Sequence, residues 1–277
     1  MNAQPHNLKT TRNTPAPEGR TAAAKRIRRA LAMLVLPAAA TCGLIQPTAS
    51  AAPMLSFSAS DGGTRSALVS FTQSSDKLAV ELSNTSTADV TIPSQVLTGI
   101  FLDISGSFGS WTPLSAQVAP TSHVELGGQT VTAAPQAGPN VSGEWAYKQH
   151  AYVYGMNSCI SSAGLGVCGK EDRFGTLNLN GPDSPGGLEY GLLSKGDNPL
   201  TGNSKVRAEP LIKDTVVFEF HVPQTFNLSH IRGVVFQYGT SLSEPHVVGQ
   251  PVAIPEPERL ALLALAWPLA RRKRKQQ

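Results

Sequence analysis

The residues able to do chemistry in this chain are cysteines, histidines, carboxylates and aromatic rings, and their spacing sorts them. Cys159 and Cys168 flank a Gly- and Ser-rich stretch, Ile160 to Val167. An even pair this close reads as a disulfide stapling a short loop in an oxidising compartment. A zinc site would want more ligands, and the nearest histidine, His150, has no second pair beside it. A nucleophilic thiol would be oxidised by its neighbouring sulfur. His123, His150, His221, His230 and His246 show no metal-ligand spacing, and polar faces or loops account for each of them. No Gly-x-Ser-x-Gly elbow, His-Glu-x-x-His pair or phosphate-cradling loop occurs, so neither metal, cofactor nor catalytic residues are expected. Glu171 with Asp172, and Asp183 with Glu189, are the residue types of glycoside hydrolysis, but sequence spacing does not establish the separation that mechanism needs. Asp172, Asn178, Asn180 and Asp183 offer oxygens to calcium without the regular spacing of a known loop. Trp145, Tyr147, Tyr152 and Tyr154 cluster just before the cysteines. Exposed, such rings would stack on sugars; buried, they would be core.

The elements that must position these residues are strands. Residues 53–254 are dominated by period-two segments: Val216, Phe218, Phe220 and Val222 fall on one face, with Glu219 and His221 on the other. Leu78, Val80 and Leu82 alternate with polar or small residues, as do Ala67, Val69 and Phe71. Leu55–Ala59, Val96–Ile104, His123–Leu126, Ala151–Tyr154 and Ile231–Tyr238 are further strand candidates, separated by turn formers such as Asp61-Gly62-Gly63 and Pro185-Gly186-Gly187. No convincing helix of several turns stands among them. The pattern predicts an all-β fold, an antiparallel β-sandwich or jelly-roll-like single domain with one core.

Charge separates this middle from the two ends. Residues 1–52 hold 7 of the 23 Lys and Arg and residues 255–277 hold 6 more, so the middle keeps 10 cations against 16 acids, a net −6. An acidic domain repels phosphate backbones, and no nucleic-acid partner is expected.

The first end, residues 1–52, reads as a signal peptide with an extended basic n-region. Lys25-Arg26-Ile27-Arg28-Arg29 precedes an apolar run from Ala30 to Ile45, and the small residues Thr48-Ala49-Ser50-Ala51-Ala52 lead up to Pro53. Positive charge holds the n-region in the cytoplasm while the run enters the translocon, and cleavage by signal peptidase is expected after Ala51 or Ala52. The alternative is a retained membrane anchor, which Pro37 and the break at Thr41–Gly43 weaken.

The second end, residues 255–277, has three parts in order. Pro255-Glu256-Pro257 forms a rigid spacer; Leu260, Leu262, Leu263, Leu265 and Trp267 mark an apolar segment; Arg271, Arg272, Lys273, Arg274 and Lys275 form a cationic stop. This tail resembles the PEP-CTERM sorting signal of Gram-negative bacteria, which exosortase, a membrane protease-transferase, recognises. The resemblance implies processing at Pro255-Glu256-Pro257, transient association with the inner membrane, and release to the cell surface or extracellular polymer matrix. It covers the last 23 residues. One departure is the apolar segment of 11 residues, about 16 Å as a helix against a hydrocarbon core of ~30 Å. Family tails usually carry a longer one, and the alternative is a truncated tail on a simply secreted protein.

Three functional classes follow. The first is an exported, non-catalytic surface or matrix protein processed by exosortase and signal peptidase, with extracellular polysaccharide as a partner. The second is a secreted carbohydrate-binding, lectin-like module, whose sign would be Trp145 and the tyrosines exposed along a groove. The third is a secreted hydrolase, which would need two carboxylates, or a nucleophile and a base, to converge in a pocket.

Overall fold

A computed structural model describes residues 52–106, 109–131, 140–179 and 185–253. Nearly all of the predicted signal peptide (residues 1–51 of 1–52), the whole of the predicted tail (residues 255–277), and Asn180 and Asp183 lie outside the described residues.

Alternation of side chains produces the strands. They run β1 (Met54–Ser60), β2 (Ser66–Ser74), β3 (Lys77–Asn84), β4 (Leu97–Ile104) and β5 (Thr112–Val118). Next come β6 (His123–Leu126), β7 (Gln129–Thr130), β8 (Ala146–Val153), β9 (Met156–Ser161) and β10 (Leu192–Leu193). The last are β11 (Leu211–Lys213), β12 (Thr215–His221), β13 (Ile231–Tyr238), β14 (His246–Val248) and β15 (Gln250–Pro251). Helix among the described residues amounts to the single α-helical turn Ser204–Arg207, capped by the Asn203 side chain, and three short 3₁₀ turns. None of these is long and apolar enough to cross a membrane.

Two sheets result. The first is antiparallel throughout, in the order β15-β1-β2-β3-β12-β5. The second runs β14-β13-β4-β10-β11-β6-β7, with β9 also on β4 and β8 on β9; within it β10 and β11 pair in parallel. Phe71, Val80, Phe218 and Phe220 of the first sheet and Ile100, Leu102, Ile160 and Phe236 of the second join one buried cluster. Each such side chain contributes about 1.5–3 kcal/mol on burial. This is the all-β sandwich expected from the alternation, and the period-two segments of the sequence overlap β1, β2, β3, β4, β6, β8, β12 and β13, with Val96, Tyr154 and Val222 just outside them.

β4 organises the second sheet. It pairs with β13 along one side and forks on the other, to β9 over Gly99–Leu102 and to β10 at Leu97. The fork brings chain close to Gly99, where a Cβ would sit 2.8 Å from the Ile160 carbonyl oxygen. The outer face of this sheet is covered too. Phe101, Cys159 and Val235 point away from the main core into a second cluster with Ala151, Ala163, Leu165 and Cys168. The Cys159–Cys168 disulfide closes the loop that makes this cover, as the sequence led one to expect.

Asn84, fully buried, ties the sheets together: its side-chain amide donates to the Leu192 carbonyl at 3.1 Å and its own carbonyl accepts from the Lys195 N–H at 3.1 Å. At the far edge β15 lies antiparallel on β1, with Pro251 opposite Phe57 and the Val252 N–H donating to the Ser56 carbonyl at 2.9 Å. Residues 252–253 therefore run back beside residues 55–56, and the domain begins and ends at one edge.

Candidate functional site

The aromatic cluster divides cleanly. Trp145, fully buried, packs its ring edge-on against Phe218 at 5.0 Å, and Tyr147 stacks on Trp111 at 5.7 Å inside the main core. Burial pushes the Tyr147 hydroxyl pKa up, opposed by the Ser158 hydroxyl beside it. Trp145 and Tyr147 are thus core, one of the two readings their residue types allow, and not groove: they face Phe218 and Phe220 of the opposite sheet. Tyr154 is occupied as well, stacking on His246 at 4.0 Å and donating to the Leu242 carbonyl at 2.6 Å.

Tyr152 differs. The β8–β9 ladder pairs Gln149 with Ser158 and Val153 with Met156, so residues 150–152 stand opposite Asn157 alone. A bulge of this kind re-aims side chains. His150 takes up the irregularity at φ 61°, Ala151 turns inward beneath the disulfide loop, and Tyr152 turns outward, 77% exposed. A cavity of about 330 Å³ opens beside it, lined by Ile104, Gly106, Gly109, Ser110, Gln149, His150, Tyr152, Asn157 and Ser158. No sequence signal separated Tyr152 from its three aromatic neighbours, because the bulge that exposes it depends on the register of two strands.

A second cavity, about 530 Å³, lies between Ile92–Ser94, Gly187–Leu188, the helical turn and residues Glu209, Thr240 and Glu244. Burial raises the Glu209 pKa, and the charge of Glu189, to which it is hydrogen-bonded, raises it further. Carboxyls in direct contact are closer than the ~5 Å or more that glycoside hydrolysis uses. Glu244 is engaged by the N–H groups of Thr240 and Ser241.

The third acidic group is a latch between loops. Asp197 accepts from the Val90 N–H at 2.9 Å, while Asp89 accepts from the Asn198 N–H at 3.0 Å and from the Thr201 hydroxyl. Burial, then the hydrogen-bonded Asp89 and the charges of Asp89 and Glu125, push Asp197 up to about 6. Against its own burial, the hydrogen bonds from Thr201 and Asn198 hold Asp89 below the ordinary carboxylate range. Lys213 donates to the Asp197 carbonyl at 2.7 Å and lies 3.9 Å from Glu125.

No protein-family model matches this chain, and neither a curated protein nor a solved structure matches it.

The other sequence candidates disperse. His123 contacts Glu125 at 2.8 Å, His221 contacts Asp76 at 3.2 Å, and His230 accepts from the Asn227 N–H at 3.1 Å. Asp172 accepts from the Gly169 N–H at 2.8 Å and pairs with Lys148 at 3.4 Å. Among the described residues no three His, Cys, Asp or Glu side chains converge to hold a metal ion. What remains is a neutral, aromatic-edged cavity at the tip of a bulged hairpin.

Proposed function

We propose that this chain is an exported, non-catalytic protein of a Gram-negative cell surface or extracellular matrix, cleaved after Ala51 or Ala52 by signal peptidase and processed at Pro255-Glu256-Pro257 by exosortase. The observation that carries this reading is the three-part sequence of the tail: spacer, apolar segment and basic stop follow within a few residues of β15, the last described strand of the sandwich. A folded, disulfide-stapled domain that begins and ends at one edge is compatible with processing on both sides without disturbing the core. Intact-mass spectrometry of the protein from its native host, beside an exosortase-deficient strain, tests it. Expected is a species running from near Pro53 to near Pro257 in the wild type and one that retains Arg271–Lys275 in the mutant. The same C-terminus in both strains would sink the sorting step.

A second reading, a secreted carbohydrate-binding module, is favoured by one observation: Tyr152 stands exposed at the rim of a cavity lined by uncharged polar side chains.

A further inference from the structure

The cavity beside Tyr152 has chemistry that narrows its ligand. None of the described residues that line it carries a carboxylate, ammonium or guanidinium group, so they offer no fixed counter-charge to a phosphate or a cation. The Asn157 amide is already spent, accepting from the Ile104 N–H at 3.1 Å and donating to the Ile104 carbonyl at 2.8 Å. The half-buried Gln149 and the exposed Ser110 line the same cavity and bring an amide and a hydroxyl to it. At the rim, His150 leans against Tyr152 with ring centroids 6.2 Å apart and Nδ1 3.4 Å from the phenol oxygen. Backbone held in the left-handed region by a non-glycine residue costs free energy, and proteins tolerate it most often where a side chain must be aimed.

An uncharged ligand with an apolar face for a ring and neighbouring hydroxyls for an amide is a sugar. We propose that this pocket binds a pyranose unit of a neutral polysaccharide, stacked on Tyr152 and hydrogen-bonded by Gln149 and Ser110. The proposal rests on the carbohydrate-binding reading and is independent of the sorting of the tail. The volume, about 330 Å³, lies at the small end of the ~300–1,000 Å³ typical of ligand sites, which suits one or two sugar units rather than a long chain enclosed along its length.

The test is calorimetric titration of the full chain, purified from the exported fraction, with neutral glucan and mannan hexasaccharides and with polyanionic alginate. The expected result is saturable binding of a neutral oligosaccharide with Kd on the order of 1 mM, unchanged by added salt because no fixed charges face the ligand. Tyr152→Ala and Gln149→Ala are each expected to weaken it about tenfold. Tyr152→Phe, which keeps the stacking face, stays close to the wild type. Both positions are off the core, so the melting midpoints of all three variants stay at the wild-type value and show them folded. Neutral-sugar binding that survives Tyr152→Ala and Gln149→Ala overturns this pocket and leaves the carbohydrate reading standing. Binding of alginate alone, abolished by salt, overturns the neutral ligand, and binding of no sugar overturns both.

Discussion

The pair Asp89 and Asp197 shows how burial and hydrogen bonds shift two identical carboxyls in opposite directions. Asp197 is 7% exposed and sits beside two other carboxylates, with its pKa at about 6 against 3.8 in the open chain. An acid whose pKa is higher folded than unfolded favours the fold when protonated. Its contribution is complete below about pH 3.8 and disappears as pH rises through about 6. Asp89, shifted the other way, contributes above 3.8 and loses that contribution as pH falls through its lowered value. The latch is therefore strongest with one proton shared between the two. Asp197→Asn keeps an acceptor for the Val90 N–H and supplies a permanent donor to Asp89. The expected outcome is that the wild type loses about 1–2 kcal/mol between pH 5 and 7.5, and that the variant does not. Chemical denaturation at both pH values decides it; equal losses in the two proteins would refute the shared proton.

Among the elements, the β8–β9 hairpin and its disulfide loop carry the most. β9 was hard to see in the sequence because Asn157-Ser158-Cys159-Ile160-Ser161 holds one aliphatic residue, and the stretch reads as a polar loop. It is a strand because both its faces find cover: Ile160 enters the main core, and Cys159 enters the cluster under the loop it helps to close. β5 escaped notice for a similar reason, with Pro113 and three exposed residues diluting Ala116 and Val118, while it hangs on β12 as an edge. Where alternation was strong, as in β12, a sheet with one buried face was legible outright. Where burial came from a fork in the sheet or a bulge, nothing in residue order announced it, and Tyr152 and Trp145 looked alike. The disulfide, by contrast, was legible from spacing. It spans a sequence separation of 9, and the loop-entropy model assigns so short a ring about 2–3 kcal/mol. The double variant Cys159→Ser with Cys168→Ser is expected to melt roughly 5–10 °C lower, with Phe101 and Val235 losing protection in hydrogen exchange first. An unchanged midpoint under reducing and oxidising conditions would show that the loop holds by packing alone.

At the scale of the molecule, β15 is the last strand of the sandwich among the described residues. β1 would otherwise be a free edge, and a seven-residue strand offering unpaired N–H and C=O groups is an invitation to pair with another chain. β15 covers part of that edge with a proline, a residue common on strands that must not be extended further. The pairing is short, Gln250 and Pro251 with one further hydrogen bond from Val252, yet it returns the chain to its starting edge. A boundary follows that thermal melting can locate. A chain stopped after Ala253 keeps every strand pairing of the described residues and should melt with the full chain. One stopped after Gly249 loses β15, about 1 kcal/mol of edge hydrogen bonding and packing, and should melt roughly 2–4 °C lower, with a greater tendency to associate through β1. Equal midpoints and equal monodispersity would mean that β15 is ornamental and that the functional boundary of the domain lies earlier, inside β14. A drop on stopping after Ala253 would instead mean that residues beyond it help to hold the sandwich, which would count against the processing proposed for the tail.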